Sequence, residues 1–372
     1  MFLIFSFLLT YSLSETGVLK RVALSFINNP IAKRNIWCFI GFYFLSILFL
    51  GSFTAPTTIF ILFYGITQEI YKILNLNQGD KLARNMMIGT GFLASISCAM
   101  TPIAHTFPLM ALGYFQASTG NIISYVSYLK YGLPIGIILG IITFILLSYN
   151  IKNEYNLKEI NFEKIPWSQK EIISSLVFIC VVFVWLIIGI WPKTFVTLAS
   201  LGTVWPAMIG CIILSLTGCL NISQGFSKGV SWTAILLCAA TLSLGSILKM
   251  EEFGILAAIN SFLNPILINT NILLLIIILT VVLTNLISNI VTTTISYNLI
   301  VPFLLTSNLF NPIVATIFIG IGASLAYALP SSIAHIALAG SSGWATSKDM
   351  FKYGSVMIVI SIVAMFIIGS II

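Results

Sequence analysis

Charge is what this sequence has least of. Only 7% of its 372 residues are Asp, Glu, Lys or Arg, against roughly a quarter in an ordinary soluble domain. Such a chain cannot cover a water-facing surface. Acids number 10 against 17 bases, and the apolar stretches between the charged loops hold almost no ionisable group. The buried carboxylates of proton relays and salt-bridged substrate sites are therefore missing, and with them the acid–base pair of an intramembrane enzyme. Histidine occurs twice, too rarely for a metal cluster. The six cysteines (Cys38, Cys98, Cys180, Cys211, Cys219 and Cys238) show no paired spacing and lie in apolar segments. They predict neither a disulfide framework nor a zinc site and read as small buried apolar residues. The net charge of +7 does not point to nucleic acid, because the bases sit in loops, where the positive-inside rule puts them.

What is present is apolar: 59% of the chain. Runs such as 132–149, 172–190, 271–287 and 354–372 each approach the ~20 residues a helix needs to cross a bilayer. Unpaired backbone is not tolerated in lipid, which leaves helices or closed barrels. These runs are too long and unbroken for barrel strands, which alternate over about ten residues. The fold class is an all-α integral membrane protein. The first run, 1–13, lacks a basic leader and a small-residue cleavage site, so it reads as a membrane helix and not a signal peptide.

The chain repeats itself. Glu15-Thr16-Gly17 is echoed by Glu252-Phe253-Gly254, and Asn29-Pro30 by Asn264-Pro265. Ser52 followed by Thr57 and Thr58 is echoed by Ser288 followed by Thr292, Thr293 and Thr294. Pro102-Ile103-Ala104-His105 matches Ser332-Ile333-Ala334-His335, and Lys130-Tyr131-Gly132 matches Lys352-Tyr353-Gly354. The order is kept throughout. Residues 1–150 form a first repeat, 171–372 a second, and the polar stretch 151–170 a cytoplasmic, solvated linker.

Basic residues fix the expected topology. Lys20, Arg21, Lys33 and Arg34 precede the apolar 36–74, and Lys72, Lys81 and Arg84 fall in 69–84, at its end and just after it. With both groups inside, 36–74 must enter and leave on one side as an inward re-entrant hairpin. Its counterpart 271–309 has Lys249, Glu251 and Glu252 before it and no charge directly after, as an outward hairpin should. Threading the rest leaves only Lys130, Lys193 and Lys249 outside. Inverted repeats with two opposed hairpins and two discontinuous helices are a transporter architecture, with the site near the midplane where helices are broken.

The candidate site follows from where polarity survives. Ser52, Thr54 and Thr57 mark the first hairpin tip, and Ser288, Asn289 and Thr292 the second. His105 and His335 each follow a proline, Pro102 or Pro330, in a broken helix. Ser and Thr are also common glue between membrane helices, and a membrane histidine is often a structural hydrogen-bonding group, but matched clusters in two repeats favour a binding site. Hydroxyls, amides and half-helix N-termini favour an anion. Unwound carbonyls beside them suit a sodium ion. Lys130 and Lys352 lie at membrane ends and read as interfacial anchors.

Over nearly its whole length the chain resembles a divergent member of the divalent anion:sodium symporter family of dicarboxylate, citrate and sulfate carriers. The second hairpin, Leu286-Ile287-Ser288-Asn289-Ile290-Val291-Thr292 followed by Val301-Pro302, is similar to the family's Ser-Asn-Thr motif, and Ser52-Phe53-Thr54 is its counterpart. The resemblance implies that Ser52, Thr54, Ser288 and Asn289 contact both substrate and sodium, with Thr101 and Ser331, beside the two breaks, added as ion ligands. Phe53 stands where the family has Asn, and Ile290 where it has Thr, so each position lacks a polar ligand. Thr101-Pro102 and Pro330-Ser331 resemble the family's helix breaks with altered chemistry, and Trp232 and Lys348-Asp349-Met350 resemble further landmarks. The implied function is sodium-coupled symport of a small divalent anion (a dicarboxylate, tricarboxylate or sulfate) by a homodimer in a bacterial-type plasma membrane, without a cofactor. Alternatives are a proton-coupled carrier, an anion exchanger or a non-functional truncated transporter. The family has about three scaffold helices ahead of the segment matching 1–13. The expectation is a start assigned too late or a truncated gene.

Overall fold

The computed structural model describes all residues except 1, 104, 150, 153, 164–165, 192–193, 201, 203, 234, 237–238, 241–253, 255–270 and 308. Cys238, Lys164, Lys193, Lys249, Glu251, Glu252, the Asn264-Pro265 pair and most of the segment expected at 231–248 lie outside the described residues. Among the described residues there is no strand. The main helices are α1 (Phe2–Glu15), α2 (Val18–Ile27), α3 (Ile36–Gly51), α4 (Pro56–Ile73), α5 (Lys81–Met100), α6 (Thr106–Thr119), α7 (Tyr125–Ser148) and α8 (Gln169–Ile190). After them come α9 (Val196–Ser200), α10 (Val204–Leu216), α11 (Ile272–Leu286), α12 (Asn289–Ser307), α13 (Pro312–Gly322), α14 (Ala334–Gly340) and α15 (Ser347–Ile371).

Local chemistry sets these boundaries. Asn35, Ser124 and Asn271 accept from backbone N–H groups in the first turns of α3, α7 and α11, removing donors that a helix start leaves unpaired. Ser168 with Glu171, and Thr346 with Asp349, close reciprocal capping boxes on α8 and α15. Pro56 and Pro312 open α4 and α13, where the missing N–H costs nothing. Pro102 forces the residue before it out of the helical region: Thr101 has φ −135° and ψ 152°, and α5 stops there. Helices α7, α8, α12 and α15, of 24, 22, 19 and 25 residues, are long and apolar enough to span.

The expected architecture is present. Two hairpins, α3–α4 and α11–α12, each precede a broken helix, α5/α6 or α13/α14, and then a long helix, α7 or α15. The hairpins enter from opposite ends. At the base of α4, the Tyr71 ring lies 4.5 Å from Trp344, just ahead of α15. At the base of α11, Leu273 packs beside Gly369, at the far end of α15. One end also gathers the polar segments: Arg21 donates twice to the Glu171 carboxylate, at 2.7 and 2.9 Å, and Asn28 exchanges two bonds with the Phe162 backbone, at 2.8 and 3.1 Å.

Two expectations need revision. The stretch 151–170 is not simply solvated: Ile151, Leu157 and Ile160 are buried while Lys152, Glu154, Lys158 and Glu159 are exposed. Its apolar residues cover the base of the bundle, where they leave water at no cost to the charged ones. The second hairpin tip is shorter than the stretch marked by Ser288, Asn289 and Thr292. Only Ile287 and Ser288 lie outside helix, because Thr292 already donates to the Ser288 carbonyl at 2.9 Å and winds the threonines into α12.

Candidate functional site

The first hairpin tip is fastened to the first break. Thr101 Oγ1 donates to the Ser52 carbonyl and accepts from the Ile103 N–H at 3.2 Å. Ser52 Oγ donates back to Leu48 O at 2.7 Å. Glycine makes the approach feasible: a Cβ on Gly51 would lie 2.2 Å from Ser97 Oγ of α5. The fully buried His105 ring faces the backbone of Gly51 and Ser52, yet neither ring nitrogen reaches hydrogen-bonding geometry. Thr54, 2% exposed, also has a hydroxyl without a partner.

The second break is held from α11. Asn285 Oδ1 accepts from the N–H groups of Tyr327 and Ala328, at 2.7 and 3.0 Å, and its Nδ2 donates to Val281 O and Leu325 O at 2.8 and 3.0 Å. Thr284 donates to Ala323 O at 2.7 Å. Ser95 of α5 donates to Ala326 O at 2.6 Å and lies 2.8 Å from His335 Nε2. These side chains supply partners that unwound backbone would otherwise lack in a membrane interior.

The two repeats treat their breaks alike. A Cβ on Gly132 would come 2.6 Å from Met100 O, and one on Gly354 would come 2.7 Å from Ala328 Cα. The Lys-Tyr-Gly repeat thus marks the two places where a long helix touches the backbone at the edge of a break.

Hairpin and break meet again on α6 and α12. Ile290 packs on a buried cluster of Cys98, Phe107 and Ala323. Further along, the Tyr114 and Thr294 hydroxyls are 2.9 Å apart, and those of Ser118 and Tyr297 2.7 Å. The partners climb in step, so α6 and α12 run side by side in one direction, with their N-termini offset by about one turn. The positive ends of both helices therefore lie near one another, an arrangement that favours an anion.

On α12, Asn289, Thr292 and Ser296 are buried, and all their side-chain polar atoms lack a hydrogen-bond partner. Their i, i+3, i+7 spacing puts them on one face. Leaving such groups unpaired costs about 1–3 kcal/mol each, and native proteins tolerate few of them. Their concentration at the N-terminus of α12, near His105, leaves a buried group of donors and acceptors with no fixed charge.

The structure sorts the expected residues. Ser52, Thr54, Thr101 and His105 come together at the first tip and break, with Thr57 half-buried one turn along. Asn289 and Thr292 form the second group. Ser288 and Ser331 are exposed and stand apart from the buried polar layer. His335 is placed against Ser95 and Phe60. Sequence reasoning missed Ser296, whose signal is its register with Asn289 and Thr292, and Asn285, which has none in its local pattern. Phe53 packs on Phe49 and Phe178, with ring centroids 5.6 Å apart in both pairs.

Comparison with known proteins bears on the family and the fold. A family model described as citrate transporter (CitMHS) matches residues 1–322. A curated Haemophilus influenzae protein described as an uncharacterized transporter is 24% identical over 352 residues, which span 91% of this chain and 74% of that protein. The crystal structure of the YdaH transporter of Alcanivorax borkumensis, whose topology is termed unusual, superposes with a TM-score of 0.56 at 10% identity, covering 98% of this chain and 84% of that one. At that identity the likeness shows the fold alone.

Proposed function

The chain belongs to the citrate transporter family, a family of multi-pass membrane transporters, and from that premise we propose that it is a secondary active carrier coupling sodium to a small divalent anion: a dicarboxylate, a tricarboxylate or sulfate. The observation that carries this reading is the set of unpartnered buried groups on His105, Asn289, Thr292 and Ser296 at two neighbouring helix N-termini. Amide and hydroxyl donors there meet carboxylate oxygens, and the helix ends supply positive potential without a lysine or arginine.

The absence of a fixed countercharge makes a co-bound cation useful. Sodium is assigned to the first tip and break, where Ser52, Thr54 and Thr101 bring hydroxyls and unwound carbonyls together. Bound there, it offsets the anion's charge and couples the two gradients. The moving body comprises the hairpins and broken helices, and α1, α8 and α10 form the scaffold. The outer faces of α8 and α10, with Leu176, Phe183 and Ile212 exposed, suit lipid and a second copy in a homodimer of a bacterial-type plasma membrane.

A second reading, proton coupling, is favoured by His105, whose two ring nitrogens both lack partners. The test is uptake of labelled citrate, succinate, malate and sulfate into proteoliposomes under an imposed sodium or pH gradient. Uptake that needs sodium supports the first reading. Uptake driven by acid outside and lost in His105→Asn supports the second. Failure of every anion under both gradients rejects both.

A further inference from the structure

Away from the buried layer, a cleft of about 490 Å³ opens at the base of the first hairpin, within the range of small-molecule pockets, about 300–1,000 Å³. One wall is the end of α4 and the turn after it, with Gln68, Lys72, Asn75 and Asn77; the other is Trp344, from the loop between α14 and α15. The cleft therefore joins an element of the first repeat to one of the second. Tyr71 forms its floor and is held in place: its hydroxyl donates to Ala83 O at 2.5 Å and its ring meets Trp344 at 4.5 Å.

The lining has an excess of donors. Gln68 Nε2 is buried without a hydrogen-bond partner. Lys72 is exposed and makes no ion pair among the described residues. No carboxylate lines the cleft; the nearby Asp80 instead accepts from the Asn77 N–H at 2.7 Å. An ammonium, an unsatisfied amide donor and two further amides around an aromatic wall match a ligand with several acceptor oxygens.

We propose that this cleft is a second anion site, taking a multivalent carboxylate or phosphate, separate from the buried layer between α6 and α12. The same oxyanion chemistry comes from two sources, a soluble anion or an anionic lipid headgroup. By joining α4 to the loop before α15, the bound ligand ties the hairpin to the second broken helix.

The test uses the full chain in nanodiscs and reads tryptophan fluorescence as the difference between wild type and Trp344→Phe. Citrate and inorganic phosphate are titrated in phosphatidylcholine discs, and phosphatidylglycerol discs are compared without soluble anion. The expected result is a saturable Trp344-dependent change, with Lys72→Gln weakening half-saturation about tenfold or more, as loss of a charged hydrogen bond does. Gln68→Leu, which keeps the fold-bearing Tyr71 contacts, should weaken it as well. A change given by phosphatidylglycerol alone assigns the headgroup as ligand, and one given only by citrate or phosphate assigns the soluble anion. No Trp344-dependent change with any of the three, or a change indifferent to Lys72→Gln, overturns the proposal. Because the readout is binding at Trp344, failure here leaves the uptake experiment untouched.

Discussion

Asn285 Oδ1 accepts the Tyr327 backbone N–H at 2.7 Å, so one side chain of the second hairpin arm holds the unwound segment of the second broken helix. Hairpin and break are thereby a single mechanical unit. In Asn285→Ala, the N–H groups of Tyr327 and Ala328 lose their acceptor, at about 1–3 kcal/mol each. Thermal unfolding in detergent should show a clear fall in Tm, and uptake should be lost. Asn285→Asp faces the Val281 and Leu325 carbonyls with an oxygen in a buried site, and should be no more stable than the alanine variant. Wild-type Tm in the alanine variant would contradict this role.

Gly132 and Gly354 should be intolerant of a methyl group. A Cβ at either meets backbone at 2.6 or 2.7 Å, which cannot rotate away. Overpacking costs about 1–3 kcal/mol, enough for roughly a tenfold loss of uptake. Gly65 of α4, whose Cβ would meet nothing within 4 Å, is the control: Gly65→Ala should be neutral or slightly stabilising, since alanine is the better helix former by about 1 kcal/mol. Equal effects at all three positions would rule out the close-approach explanation.

Restoring the polar residues of the resembled family should not restore a ligand. Phe53 is turned toward Phe178 and Ile290 toward Cys98, Phe107 and Ala323, so Phe53→Asn and Ile290→Thr place polar groups in apolar contacts. Both should lower Tm, and the sodium concentration for half-maximal uptake should not improve. A tighter sodium dependence in Phe53→Asn would show that the tip can turn that side chain inward.

His335 and His105 match in sequence and differ in surroundings. His335 is tied to Ser95 at 2.8 Å, and Ser95 to the second break, which is a structural role. His335→Asn should lower Tm while the pH profile of uptake stays put. His105→Asn should raise the anion concentration for half-maximal uptake about tenfold, as loss of a hydrogen bond to a charged group does, with little effect on Tm. The reverse pattern would exchange the two roles.

Much of the architecture was legible because membrane burial leaves strong marks: long apolar runs, basic loops, and prolines where helices break. The repeat was legible for the same reason in both halves, and Gly132 and Gly354 supply its steric cause. The site was only partly legible. Asn289 and Thr292 stood out as polar residues in an apolar helix, but which neighbours hold hydrogen bonds depends on tertiary contacts. Thr293 and Thr294 are satisfied by Asn289 O and Tyr114, whereas Thr292 and Ser296 are not. Ser288 sits in the matching motif and is nevertheless exposed, because the chain enters α12 one residue later. The burial of Leu157 and Ile160 was hidden by the charges between them.

The central claim is that the unpartnered groups at the start of α12 hold the carried anion. Equilibrium binding of radiolabelled citrate, succinate, malate and sulfate to purified wild type, Asn289→Ala and Ser296→Ala tests it most directly, with Lys72→Gln present throughout to silence the peripheral cleft. At least one anion should bind to the parent and be weakened about tenfold or more in each variant, as removal of a hydrogen bond to a charged group predicts. Binding to the parent that is unchanged in both variants would place the anion elsewhere in the molecule.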